Sequence, residues 1–84
     1  MRLEAIDQAV AARADFRGGS VSPVMFRLGE REHRVTAIHA RWVDRAGRHP
    51  RFFFSVTTHA GDVYQLQLNA ADMVWRVDHV TLEG

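Results

Sequence analysis

The sequence predicts an all-β fold, a small antiparallel meander that curls into a barrel or half-open roll. Three observations carry this expectation. From Pro23 onward apolar residues recur at every second position, the period of a half-buried strand. The breaks between these runs hold glycine or short polar residues suited to tight turns. The apolar faces of successive runs also agree when short loops join them, as cross-strand pairing requires.

The first sixteen residues fit this pattern least. Leu3, Ile6 and Val10 are spaced for a helix face, and the alanines suit a helix. Val10, Ala12, Ala14 and Phe16 instead alternate like a strand before "RGGS". The reading adopted is a short helical or irregular start, then a strand over roughly residues 9–16. A short strand follows in "PVMFRLG", with Phe26 inward, Val24 or Leu28 beside it, and Gly29 at its end.

"EHRVTAIHARWVD" is the next strand. Ile38, Ala40 and Trp42 share one parity and Val35 has the other. That break of phase predicts a β-bulge between Val35 and Ile38, and it places Trp42 in the core. In "PRFFFSVTT", Phe52, Phe54 and Val56 face inward and Phe53 faces out. "DVYQLQLN" turns Tyr64, Leu66 and Leu68 inward, and "MVWRVDHV" does the same for Met73, Trp75 and Val77.

Register follows from the apolar faces, because a one-residue slip turns every side chain over. A three-residue loop, His59-Ala60-Gly61, sets Val56 opposite Tyr64, Phe54 opposite Leu66 and Phe52 opposite Leu68. Gly61 then takes the left-handed region. Across an Asn69–Asp72 turn, Leu68 is expected opposite Met73, Leu66 opposite Trp75 and Tyr64 opposite Val77.

Size and composition bound the rest. Eighty-four residues make one domain, residues 1–84, with no room for a second core. No cysteine is present, which excludes a disulfide scaffold, thiolate metal sites and cysteine catalysis. It also leans toward the cytoplasm. The N-terminal residues carry charges throughout and form no signal peptide, and no apolar run is long enough to span a membrane. All eleven basic residues are arginine, yet the net charge is only +1. Arginine matches phosphate geometry. A GC-rich coding bias explains the same preference together with the abundant alanine and valine.

The run from about Gln8 to Val80 resembles a family of small bacterial proteins of unknown function. The shared pattern is a valine strand ("QAV"), a glycine gap ("GGS"), Pro-x-x-Phe ("PVMF", Pro23 to Phe26), and a strand ending in tryptophan ("HARW", Trp42). A Gly-turn hairpin ("GDVYQLQL") and a closing Trp-x-Val strand ("MVWRVDHV") complete it. Arg27 and Leu28 stand where relatives often carry an aromatic residue. The resemblance implies a small cytoplasmic β-barrel, SH3-like in build, and no catalytic residue. Some members are encoded near DNA-repair polymerase genes, which points toward nucleic acid.

Four candidate chemistries remain. Arg41, Arg45, Arg48 and Arg51 crowd one turn, four arginines against a single aspartate over residues 41–51. Such a loop could follow a phosphate backbone beside stacking aromatics, or it could simply solvate a hairpin and blunt edge pairing. Phe53, facing out, could anchor self-association or a protein partner, helped by an open edge strand. The histidines, His33, His39, His49, His59 and His79, offer no convergent set. The expected register brings only Asp62 opposite His79, short of the three or four ligands zinc takes. Asp78 and His79 are adjacent, so alternation puts them on opposite faces and forbids a dyad. Ser20, Ser22 and Ser55 lack a nucleophile-elbow context. The sequence therefore reads as a non-enzymatic interaction module without cofactor or small-molecule substrate. Its partner is a protein or a second copy, and the alternative partner is nucleic acid.

Overall fold

The computed structural model describes residues 2–82; Met1, Glu83 and Gly84 lie outside them. Six strands follow in order: β1 (Arg2–Arg17), β2 (Ser20–Leu28), β3 (Arg31–Asp44), β4 (Arg51–Thr58), β5 (Val63–Asn69) and β6 (Val74–Leu82). Each pairs antiparallel with its sequence neighbour, and β1 returns to β6, so the meander closes into a barrel. The described residues contain no helix, and so none that could cross a membrane.

β1 and β3 are long because each serves two neighbours. Residues 2–10 of β1 pair with β6 and residues 11–17 with β2. Residues 31–34 of β3 pair with β2, and residues 35–44 with β4 alone. The barrel is thus a five-stranded sheet, β3-β4-β5-β6-β1, and a three-stranded sheet, β1-β2-β3, sharing two strands.

The expected helical start is instead strand from Arg2. The spacing also fits an alternating strand, since Ile6 and Val10 share one parity and Leu3 has the other; the register with β6 shifts between Ala5 and Gln8, where Asp7 takes φ +49°. Ile6 and Val10 both pack on the core, while Leu3 is exposed. Aspartate tolerates the left-handed region, and Arg76 holds it there by donating to the Asp7 carbonyl at 3.2 Å and to Oδ1 at 3.1 Å. The adjoining Gly18-Gly19 pair, φ +56° and +79°, makes a two-residue hairpin of the type that needs positive φ at both centres.

The core is built by alternation, with Phe26, Val56, Leu66 and Val77 fully buried. Leu28 packs against it, and Val24 is exposed opposite a shift in the β1–β2 register. The β4–β5 hairpin has the expected register, Val56↔Tyr64, Phe54↔Leu66 and Phe52↔Leu68, with Gly61 at φ +95°.

The β5–β6 register differs from expectation by two residues at Leu68 and Leu66, and by three at Tyr64, beyond a bulge. Leu68 faces Trp75, Leu66 faces Val77 and Tyr64 faces Val80. A slip of two preserves every face, so the apolar pattern cannot detect it. Turn chemistry decides. Asn69 Oδ1 accepts from Ala71 N–H and Asp72 Oδ1 from Val74 N–H, which closes a four-residue loop with Met73 inside it. Met73 is therefore not a core residue: it sits at φ +59° and is 60% exposed.

A candidate interaction surface on the five-stranded sheet

The β3–β4 ladder contains two bulges. The first, between Val35 and Ala37, is the one the sequence predicts. The second, between Ile38 and Ala40, the sequence reading lacks. It reverses the phase of everything after it. Arg41 and Val43 pair with Phe54 and Phe52, on the inner side, and Trp42 pairs with Phe53, on the outer side. Trp42 is accordingly 42% exposed, whereas Trp75 is 8% exposed and remains a core residue. The two outer rings lie flat on each other, with centroids 5.3 Å apart and planes 4° apart. Pairs of this kind contribute about 0.5–1.5 kcal/mol beyond the area they bury.

The pairing registers resolve the outer face into rows. Trp42, Phe53, Gln67, Arg76 and Ala9 form one row across the five strands. Ala40, Ser55, Gln65, His79 and Ala5 form the second. Ala37, Thr57, Val63, Thr81 and Leu3 form the third. Asp78 joins this face as well, because the β6 register shifts beside it and leaves Asp78 and His79 between inward Val77 and Val80. The expectation that these two neighbours point to opposite faces fails at that bulge. They still form no dyad: the Asp78 carboxylate accepts from Gln65 Nε2 at 2.9 Å and from Gln67 Nε2 at 2.6 Å.

The inward turn of Arg41 removes it from the basic loop. Its Nη1 donates to the Val21 carbonyl at 2.7 Å and its Nη2 to Ser22 Oγ at 2.9 Å. Its guanidinium carbon lies 5.7 Å from the Phe54 ring centroid. Arg41 therefore ties β2 to the stretch of β3 that has no ladder with it. An apolar cleft of about 240 Å³ opens beside it, lined in part by Val21, Val43, Phe52 and Phe54. Arg45, Arg48 and Arg51 remain exposed, Arg51 on the ladder opposite Asp44 and Asn69 and the other two in the β3–β4 loop. Among the described residues none of these three takes part in an ion pair.

At the other end of the barrel His33 stacks on Phe26, centroids 5.1 Å apart, and lies 5.2 Å from Tyr64. Burial, then the Arg31 and His59 charges, lower the His33 pKa against an opposing pull from Asp62. Burial, then Asp62, raise that of Tyr64, with Arg31 opposing. His33 Nδ1 and Thr58 Oγ1 are buried without a hydrogen-bond partner among the described residues. His79 faces Gln65, not Asp62, and no group of three metal-ligating side chains converges within the described residues. In comparisons with known proteins, no family model, no curated protein and no solved structure matches the chain.

Proposed function

We propose that this chain is a non-enzymatic interaction module of the bacterial cytoplasm, an SH3-like barrel that associates with a second copy of itself. The observation that carries the reading is the Trp42–Phe53 stack on the outer face, next to a β3 segment paired on one side only. Aromatic residues are enriched, and charged ones depleted, at the centres of protein interfaces. A large exposed ring that already lies against its neighbour loses little side-chain freedom when a partner covers it.

Sedimentation velocity across a concentration series tests the reading. The chain should shift from monomer to dimer with concentration, and Phe53→Ser should hold it monomeric at concentrations where the parent dimerises. A parent that stays monomeric up to submillimolar concentration would end this reading.

A second reading, nucleic-acid contact, is supported by the three exposed arginines Arg45, Arg48 and Arg51 beside the same aromatic pair. Fluorescence anisotropy with labelled single- and double-stranded DNA and RNA separates the two. Phosphate contacts weaken with salt at a log–log slope of about −0.7 to −0.9 per contact, whereas an apolar dimer holds or tightens. Binding lost on Arg48→Ala with Arg51→Ala, and kept in Phe53→Ser, would favour nucleic acid.

A further inference from the structure

The two sheets differ sharply in the charge they present outward. On the three-stranded sheet the outer positions include Arg13, Arg17, Arg27 and Arg34 with Asp15 and Glu32. On β3, β4 and β5 of the other sheet, the nine outer positions of the three rows carry no ionisable group. An antiparallel sheet that faces only water normally displays polar and charged residues there.

The polar groups this face does carry are tied to one another. Gln65 and Gln67 both donate to Asp78. Thr36 Oγ1 donates to the Thr57 carbonyl at 3.2 Å, and His39 Nε2 is hydrogen-bonded to Thr57 Oγ1. Arg76 is paired with Asp7. Groups that already have partners lose little when water is removed from them, whereas free ones are costly to bury. The charge returns at the boundary, where Asp44 faces Arg51 in the next row toward the loops. Across β3–β5 the centre carries no ionisable group but His39 and is internally bonded, with Asp44 and Arg51 at one border and Arg76, Asp78 and His79 of β6 at another, the build of a surface that is covered at its centre.

We infer that the outer face of the five-stranded sheet is a self-docking surface, on which two copies of this chain meet sheet to sheet about a twofold axis. This rests on the self-association reading and adds to it where and how the copies meet. A second copy is the occupant that the charge pattern favours. Its uncharged β3–β5 rows meet their own image without like-charge repulsion, whereas the arginine-bearing sheet would repel its image. Pairing edge to edge through β3 is the competing arrangement. Its two bulges, at Thr36 and His39, break the regular row of backbone groups that such pairing needs. Five strands at a spacing of ~4.8 Å, and some 20 Å along them, amount to roughly 500 Å² per copy if unrolled, and because the sheet closes into a barrel its convex outer face offers less than this to a partner. A total below about 1,000 Å² belongs with weak, transient associations, so the dimer is a reversible one.

The test is opposite charges placed at one position of the face. Ser55 lies in the middle row, between Ala40 and Gln65, and makes no side-chain hydrogen bond within the described residues. Ser55→Glu and Ser55→Arg should each raise the dimer dissociation constant by about a hundredfold. Mixing the two variants should restore association as a heterodimer, which also shows that both are folded. A dimer unaffected by either variant, or variants that mix without recovering association, would overturn the face-to-face arrangement while leaving self-association standing. A parent chain that is monomeric throughout would remove both.

Discussion

Trp42 lies flat against Phe53 on the outside of the barrel, although both are large aromatic residues and the core is small. The cause is one extra residue in β3. The bulge between Ile38 and Ala40 exchanges the sides of every later residue, sending Trp42 out and Arg41 in. One local irregularity therefore creates both the aromatic patch and the arginine that closes the neighbouring seam.

Arg41 should then act as a clasp. Arg41→Met keeps the stem but loses the two hydrogen bonds to Val21 and Ser22. We expect a loss of about 1 kcal/mol, in the range for a pair of net-modest hydrogen bonds at a partly solvated site. The amide protons of residues 20–22 should exchange faster, and those of β5 should not change. Uniform acceleration across the barrel would show that the residue supports the whole fold rather than the seam.

Thr58 presents the opposite case, a buried hydroxyl that the fold does not use. Its side chain is 2% exposed and Oγ1 has no partner among the described residues. Thr58→Val keeps the shape and the β-branch and removes the orphaned oxygen. Stability should rise by about 1–2 kcal/mol, seen as a higher urea midpoint with unchanged m-value. A fall would mean that the hydroxyl has a partner in solution.

Met73 occupies a backbone conformation that suits glycine, at φ +59°, and is mostly exposed. Met73→Gly should stabilise the barrel by about 0.5–1 kcal/mol, and Met73→Ile should destabilise it by at least as much, because a β-branch is least tolerated there. Equal stabilities in thermal melts would mean that the β5–β6 turn relaxes without strain.

His33 ties stability to pH. Its folded-state pKa is lowered, so the folded chain resists the proton that the unfolded chain accepts. The contribution of neutral His33 is complete above its ordinary value near 6.5 and declines as pH falls through that value toward the lowered one. His33→Phe keeps the stack on Phe26 and removes the titration. Urea midpoints of parent and variant should therefore diverge between pH 7.5 and pH 5, with the parent losing more. Parallel curves would place the titration elsewhere.

Much of this fold was legible in the sequence, and the failures share a cause. The β4–β5 hairpin could be read to the residue because Gly61 and two clean alternating runs leave only one loop length that matches their faces. The β5–β6 register could not, since a two-residue slip keeps Leu66 and Trp75 inside either way. The side chains of Asn69 and Asp72, capping the turn, held the missing information. Bulges were the other blind spot. The one at Thr36 shows because Val35 and Ile38 are both apolar and out of phase. Those at Asp7 and His39 fall among polar or small residues, where the hydrophobic pattern is silent, whereas the one at Asp78 is marked by Val77 and Val80, apolar and out of phase as Val35 and Ile38 are. The same silence hid the candidate surface, which is marked by missing charge on three strands that lie apart in sequence.

The most direct test is a dilution series of ¹H–¹⁵N correlation spectra on the unmodified chain, from submillimolar to low micromolar. The account predicts concentration-dependent shifts at the outer rows of β3, β4 and β5, centred on Phe53, Ser55 and Gln65, with the three-stranded sheet unchanged. Spectra that do not change with concentration, or shifts confined to residues 11–17 and 20–28, would contradict it.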